Sequence, residues 1–382
     1  MTVDDIISAA QARTGLTDIG DRSVLEGLEK LLHAYETEAK FTEQGRQMAY
    51  NDLVTCMSSR MQIEDWLARH PELLSRPVEK PMFVFGLPRT GTTLMINLLA
   101  SDPARRSFLR WEIYEPIPPA RPEELHAGRR YEERQAICEM ALEHVPQIAA
   151  IHMEFADSPT ECQFLMTPSF CSQVYEALAE IPSYRQWFLH EADYLPAFRF
   201  HKRTLQALQH YTGGRWTLKN PWHPLFLDPL TEVYPDAQLV MTHRDPAEVV
   251  GSCCSLLKYS RQVYSDDIDL QAIGRDLLDT FRIMVDRQRA FREKHGRNAI
   301  HDVQYVDTVR DPIGTVRKIY EAFDEELTPA ALDAMNTYMA ENPKGKHGKH
   351  EYSLADYGLS TGQVREAFSD YIEEFDILIK EH

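Results

Sequence analysis

The sequence predicts an α/β fold with a mostly parallel sheet in a three-layer core, a helical insertion and a helical N-terminal extension. Three observations predict it. Short apolar runs at Pro81–Phe85, Arg215–Leu218 and Gln238–His243 each end in a turn marked by proline or glycine. The turns lead into helix-spaced apolar stretches, such as Thr92 to Ala100 and the Val249, Val250 and Leu256 face behind Pro246. Strands that alternate with helices need parallel crossovers, and these place ligands beyond the C-terminal ends of the strands.

Residues 1–78 read as the helical extension, with Leu25, Leu28, Leu31 and Leu32, then Leu53, Met57 and Met61, at helical spacing. The α/β unit is expected over residues 79–382. Within it, residues 104–212 are rich in prolines and helix signals and carry no strong strand, so they are expected to form a helical cap. Further on, a long helix from Leu270 to Lys294 precedes a last strand-like run, Ala299 to Val306, and helices starting near Pro312 and Pro329.

Composition narrows the function classes. The 382 residues are 43% hydrophobic and 26% charged, enough for a sizeable core, and no stretch approaches the ~20 apolar residues of a membrane span. Forty-one basic against 59 acidic side chains give a net charge of −18, which repels nucleic acid and anionic lipid over most of the surface. An anionic ligand therefore needs a local pocket. The six cysteines show no CxxC pair and no His/Cys ligand spacing, which suits a reducing cytosol. The N-terminus carries two aspartates where a signal peptide is positive, so a cytoplasmic location is expected.

The segment Gly86-Leu-Pro88-Arg89-Thr90-Gly91-Thr92-Thr93 follows a strand and opens a helix, an arrangement whose backbone N–H groups can converge on a phosphate. Its glycines have Walker A spacing, but Thr92 stands where a lysine would reach the β- and γ-phosphates of a triphosphate. Arg89 puts a permanent forked cation in the loop instead.

Here the chain resembles the sulfotransferases that use 3′-phosphoadenosine 5′-phosphosulfate (PAPS), in which a strand leads into Pro-(Lys/Arg)-x-Gly-Thr-Thr and a helix. Pro88-Arg89-Thr90-Gly91-Thr92-Thr93 fits that form. Arg244-Asp245-Pro246 and Ser252, eight residues after the arginine, resemble the family's pair that grips the 3′-phosphate. Trp216-Thr-Leu-Lys219-Asn-Pro-Trp-His223 resembles a strand-end segment of the bacterial branch, and the basic run containing Lys344 and Gly345 resembles the loop that folds over the nucleotide. The likeness covers roughly Pro81 to the C-terminus. It implies a P-loop-like core that moves a sulfuryl group from PAPS to a hydroxyl or amine, with no metal.

The resemblance also implies site roles. Pro88, Arg89, Thr90, Gly91, Thr92, Thr93, Arg244, Ser252, Lys344 and Gly345 are expected to bind the nucleotide, with Arg89 and Lys219 meeting the leaving group. The base is open between Glu112, Glu161, His152 and His223. Glu112 is the first choice by its place 23 residues beyond Arg89, and Glu161 also reads as a helix-start carboxylate. Aromatic residues of the insertion, among them Trp111, Tyr114, Phe155, Phe164, Phe170, Tyr175, Trp187 and Phe188, suggest an apolar or ring-bearing small-molecule acceptor. A P-loop kinase or nucleotide hydrolase, and a silent PAPS-binding protein, are the rival readings; homo-oligomerisation is left open.

Overall fold

A computed structural model of the chain describes residues 1–144, 154–343 and 352–379. Five strands, β1 (Met82–Gly86), β2 (Arg105–Arg106), β3 (Arg215–Lys219), β4 (Gln238–His243) and β5 (His301–Gln304), form one sheet in the order β2-β3-β1-β4-β5. Every pairing is parallel. The register aligns Val84 with Lys219, Gly86 with Thr242, and His243 with Gln304, so the strands end along one edge.

The alternation of strand side chains makes the layers. Met82, Val84, Val240 and Val303 point into one core with Met95, Leu98 and Leu99 of the helix Thr92–Ala100, and with Val316, Ile319 and Met335 from later helices. Phe83, Phe85, Leu239 and Met241 point into the larger core on the opposite face. Burial on both faces is why the strands read as unbroken apolar runs. A fully buried Phe83 or Phe85 contributes about 1.5–3 kcal/mol by removal from water.

The N-terminal residues form three helices, α1 (Val3–Thr14), α2 (Val24–Thr37) and α3 (Glu43–Arg69). Ile6, Leu28, Leu53 and Met57 belong to the same apolar cluster as Phe83, Phe85 and Met241. Thr42 caps α3 by accepting from the Gly45 N–H at 2.9 Å. Gly45 also lets α3 lie against the Tyr264 backbone, since a Cβ there would stand 2.0 Å from the Tyr264 carbonyl oxygen.

The insertion is helical in its described parts, from Arg129–His144 to Leu195–Leu208, with one departure from expectation. Arg105–Arg106 is a strand beside β3, and Glu161 makes a further parallel bridge to Lys219 along that edge. Two charged residues carry no apolar run, which is why this strand cannot be read in the sequence. The last strand is also shorter than expected, because a helix starts at Tyr305. No helix among the described residues is long and apolar enough to cross a membrane.

Candidate active site

The loop between β1 and the helix Thr92–Ala100 is held by its backbone. Gly86, Arg89 and Gly91 all have positive φ, 155°, 72° and 94°. At Gly91 a Cβ would meet the Tyr305 ring at 2.9 Å, so glycine is required both by conformation and by space. Thr90 points inward: its hydroxyl bonds the Leu87 carbonyl at 2.7 Å and the Thr242 hydroxyl at 2.6 Å. Thr90 therefore fastens the loop to β4. Gly91 is the N-cap of the helix and no side chain caps the first N–H groups, which leaves the positive helix end facing the loop.

Arg89 and Arg244 share this place. Arg89 Nε donates to Ser252 Oγ at 3.1 Å, and Arg244 Nη1 donates to the Arg89 carbonyl oxygen at 2.8 Å. Arg244 lies over the Tyr305 ring, 4.3 Å from its centroid, and Nε donates to Glu248 at 2.7 Å. Burial lowers the Arg89 pKa below the usual arginine value and the Arg244 charge lowers it further. Two arginines that meet at one loop, the charge of one acting on the other, can hold an anion. Asp245 caps the helix Pro246–Gln262 through the Ala247 N–H at 3.0 Å and pairs with Arg365 at 2.7 Å. Those contacts occupy the one carboxylate that the kinase reading offered for magnesium.

Lys219 ends β3, fully buried, with Nζ 3.1 Å from Glu161 Oε1. The contact is an ion pair whose angles fall short of a hydrogen bond. Gln163 holds the other Glu161 oxygen. Nearby, Arg110 pairs with Glu154 at 2.8 Å and lies over Phe164 at 5.3 Å.

The four candidate bases separate clearly. Glu112 is buried with both oxygens engaged: Oε1 accepts from Arg106 at 2.6 Å and Oε2 from the Leu109 N–H at 3.0 Å. Its side chain thus turns back toward β2 and closes a short helical turn. His223 lies among Phe83, Phe85, Phe198 and Phe226, fully buried, and burial pushes its pKa well below the usual value. Its ring is packed into the core. Glu161 stands at the strand-end edge beside Lys219. His152 lies outside the described residues, as do Lys344 and Gly345.

Sequence reasoning missed two aromatic residues at the site. Tyr305 packs on both Gly91 and Arg244. Tyr352 donates to the Glu248 carbonyl at 2.8 Å and covers Gly251, where a Cβ would come within 2.3 Å of its ring. The signals were a tyrosine closing the last strand run and a glycine just before Ser252. The insertion's aromatics also sort themselves: Trp111, Phe170, Tyr175, Trp187 and Phe188 are core, whereas Tyr114, Phe155 and Phe164 are half-buried.

Comparison with known proteins identifies the family and the fold. A profile described as "Sulfotransferase family" matches residues 81–329. The crystal structure of sulfotransferase STF9 from Mycobacterium avium superposes with a TM-score of 0.94 at 34% identity, covering 100% of this chain and 98% of that one. Sulfotransferase STF1 from Mycobacterium tuberculosis H37Rv gives 0.86 at 34% identity, with 97% and 99% covered. The omega-hydroxy-beta-dihydromenaquinone-9 sulfotransferase Stf3 of Mycobacterium bovis is 23% identical over 290 residues, 72% of this chain and 71% of that protein. With a family match over residues 81–329 and two relatives at 34% identity along nearly the whole chain, this chain belongs to the sulfotransferase family.

Proposed function

We propose that this enzyme transfers a sulfuryl group from PAPS to a hydroxyl or amine of an apolar, ring-bearing small molecule. The observation that carries the reading is the convergence of Arg89, Arg244 and Ser252, with the 3.1 Å and 2.8 Å bonds between them, at the mouth of a helix N-terminus. In this reading the Gly91, Thr92 and Thr93 amides and Arg89 take the 5′-phosphosulfate, and Arg244 with Ser252 takes the 3′-phosphate. The basic run from Lys344 and Gly345 belongs to the same binding proposal.

Transfer breaks the sulfur–oxygen bond to the 5′-phosphate and forms a bond from sulfur to the acceptor atom, while the acceptor proton leaves. Arg89 and Lys219 meet the negative charge on the departing phosphate oxygen. Glu161 takes the proton, because its carboxylate stands beside Lys219 at the end of β3, the strand next to β1 and its loop. Lys219 holds the carboxylate in place until the acceptor enters. Half-buried Tyr114, Phe155 and Phe164 offer the acceptor an apolar face. A hydroxyl on a large apolar molecule, as in the omega-hydroxy menaquinone that names one relative, suits that face.

Incubation of the enzyme with labelled PAPS and a panel of alcohols, phenols and amines tests the proposal by mass spectrometry. Gain of one sulfo group on an apolar ring-bearing acceptor is the expected result. Tight binding of the nucleotide without turnover on any acceptor overturns it.

A further inference from the structure

We propose that His70, Glu72 and His210 form a site for one divalent cation of the zinc class, tying the end of α3 to the turn that leads into β3. One ligand atom from each residue can be chosen so that all three lie within 4.8 Å of one another. His70 Nδ1 is 3.5 Å from Glu72 Oε1, and the two imidazole rings have centroids 4.8 Å apart. His210 Nδ1 is shielded from solvent and has no hydrogen-bond partner. A shielded ring nitrogen without a partner is costly and is satisfied by a metal ion. Two imidazoles and one carboxylate are a donor set that zinc and its neighbours accept, with the remaining position filled by water.

The surrounding contacts pre-form the site. His70 is the residue after α3, Glu72 lies in the short helix Pro71–Ser75, and His210 follows the helix Leu195–Leu208. Gln206 Nε2 donates to the Leu74 and Arg76 carbonyls at 2.9 and 3.0 Å, and Gln209 Nε2 to the Pro77 carbonyl at 3.2 Å. Arg76 donates to the His210 carbonyl at 3.1 Å. These bonds clamp the two chain segments together before any ion arrives, so binding needs only rotation of the half-buried His70 and the exposed Glu72 side chains. Trp66 packs on both imidazoles, at centroid distances of 4.6 and 5.6 Å, and supplies a reporter. The cluster lies just ahead of β3, at the opposite end of that strand from Lys219, so its ion stands outside the sulfuryl-transfer site.

The test uses the full chain stripped with a chelator and titrated with ZnCl₂ against a chromogenic competitor. One zinc ion per chain is expected, with a rise in Tm that grows with free zinc. His70→Ala and His210→Ala are each expected to weaken binding by roughly tenfold or more and to abolish the Tm rise, with unchanged Tm in chelator. Copper(II) is expected to quench tryptophan fluorescence in the wild type and much less in Trp66→Phe. No bound zinc, or equal zinc binding and Tm shift in wild type and both histidine variants, leaves His70 and Glu72 as a simple ion pair and overturns the proposal.

Discussion

Arg244 Nη1 donates to the carbonyl oxygen of Arg89 at 2.8 Å, so a side chain at the end of β4 fixes the backbone of the loop that follows β1. The two arginine positions are thereby one mechanical unit. A ligand phosphate that orders Arg244 also orders the left-handed peptide at Arg89.

Arg244→Ala is expected to weaken binding of adenosine 3′,5′-bisphosphate by roughly 10- to 100-fold, the loss of a charge-assisted contact. Adenosine 5′-phosphate is expected to lose less, through the loosened Arg89 carbonyl alone. Isothermal titration of both nucleotides measures the difference, and equal losses remove the 3′-phosphate role from Arg244.

Glu161→Gln is expected to lower kcat by about 100-fold or more while nucleotide affinity stays near wild type. Glu112→Gln is expected to do the reverse, keeping kcat and lowering stability by about 1–3 kcal/mol because Arg106 loses its buried anion. Paired kcat and Tm measurements separate the two, and a collapse of kcat in a fully stable Glu112→Gln enzyme returns the base to Glu112.

Gly91→Ala is expected to lower both Tm and nucleotide affinity. The methyl group meets Tyr305 at 2.9 Å and the backbone needs φ of 94°. Ordinary affinity in this variant removes the loop from the binding site.

Glu176 gives a pH signature away from the site. Burial raises its pKa from the usual carboxylate range to about 7, against the pull of Arg185. The folded state therefore prefers the protonated form, and this group's contribution is fully present below pH ~4.5, declines as pH rises from there to about 7, and is flat above. Glu176→Gln is expected to flatten that decline; thermal melts between pH 5 and 8 read it directly, and identical slopes in both proteins contradict the assignment.

Much of the architecture was legible because parallel strands buried on both faces leave apolar runs next to turn residues. Gln238–His243 appears with the bounds read from sequence, and Met82–Gly86 lies one residue from them. Arg105–Arg106 was not legible, since its strand partners lie more than a hundred residues away and neither side chain is apolar. The loop and the Arg244 to Ser252 spacing were local motifs and could be seen. The contacts of Glu112 could not be read, because sequence distance from Arg89 says nothing about the direction of its side chain, which bonds Arg106. Tyr305 and the His70, Glu72 and His210 cluster depend on chain crossings that no local pattern records.

The placement of α1 to α3 has a practical corollary for anyone trimming the protein. Family similarity by profile begins at residue 81, yet Leu28, Leu53 and Met57 fill the same apolar mass as Phe83 and Met241. A recombinant fragment started at the profile boundary strips one wall from that mass and exposes greasy surface to solvent, so chimeras and truncations need the helices from Val3 onward to stay soluble.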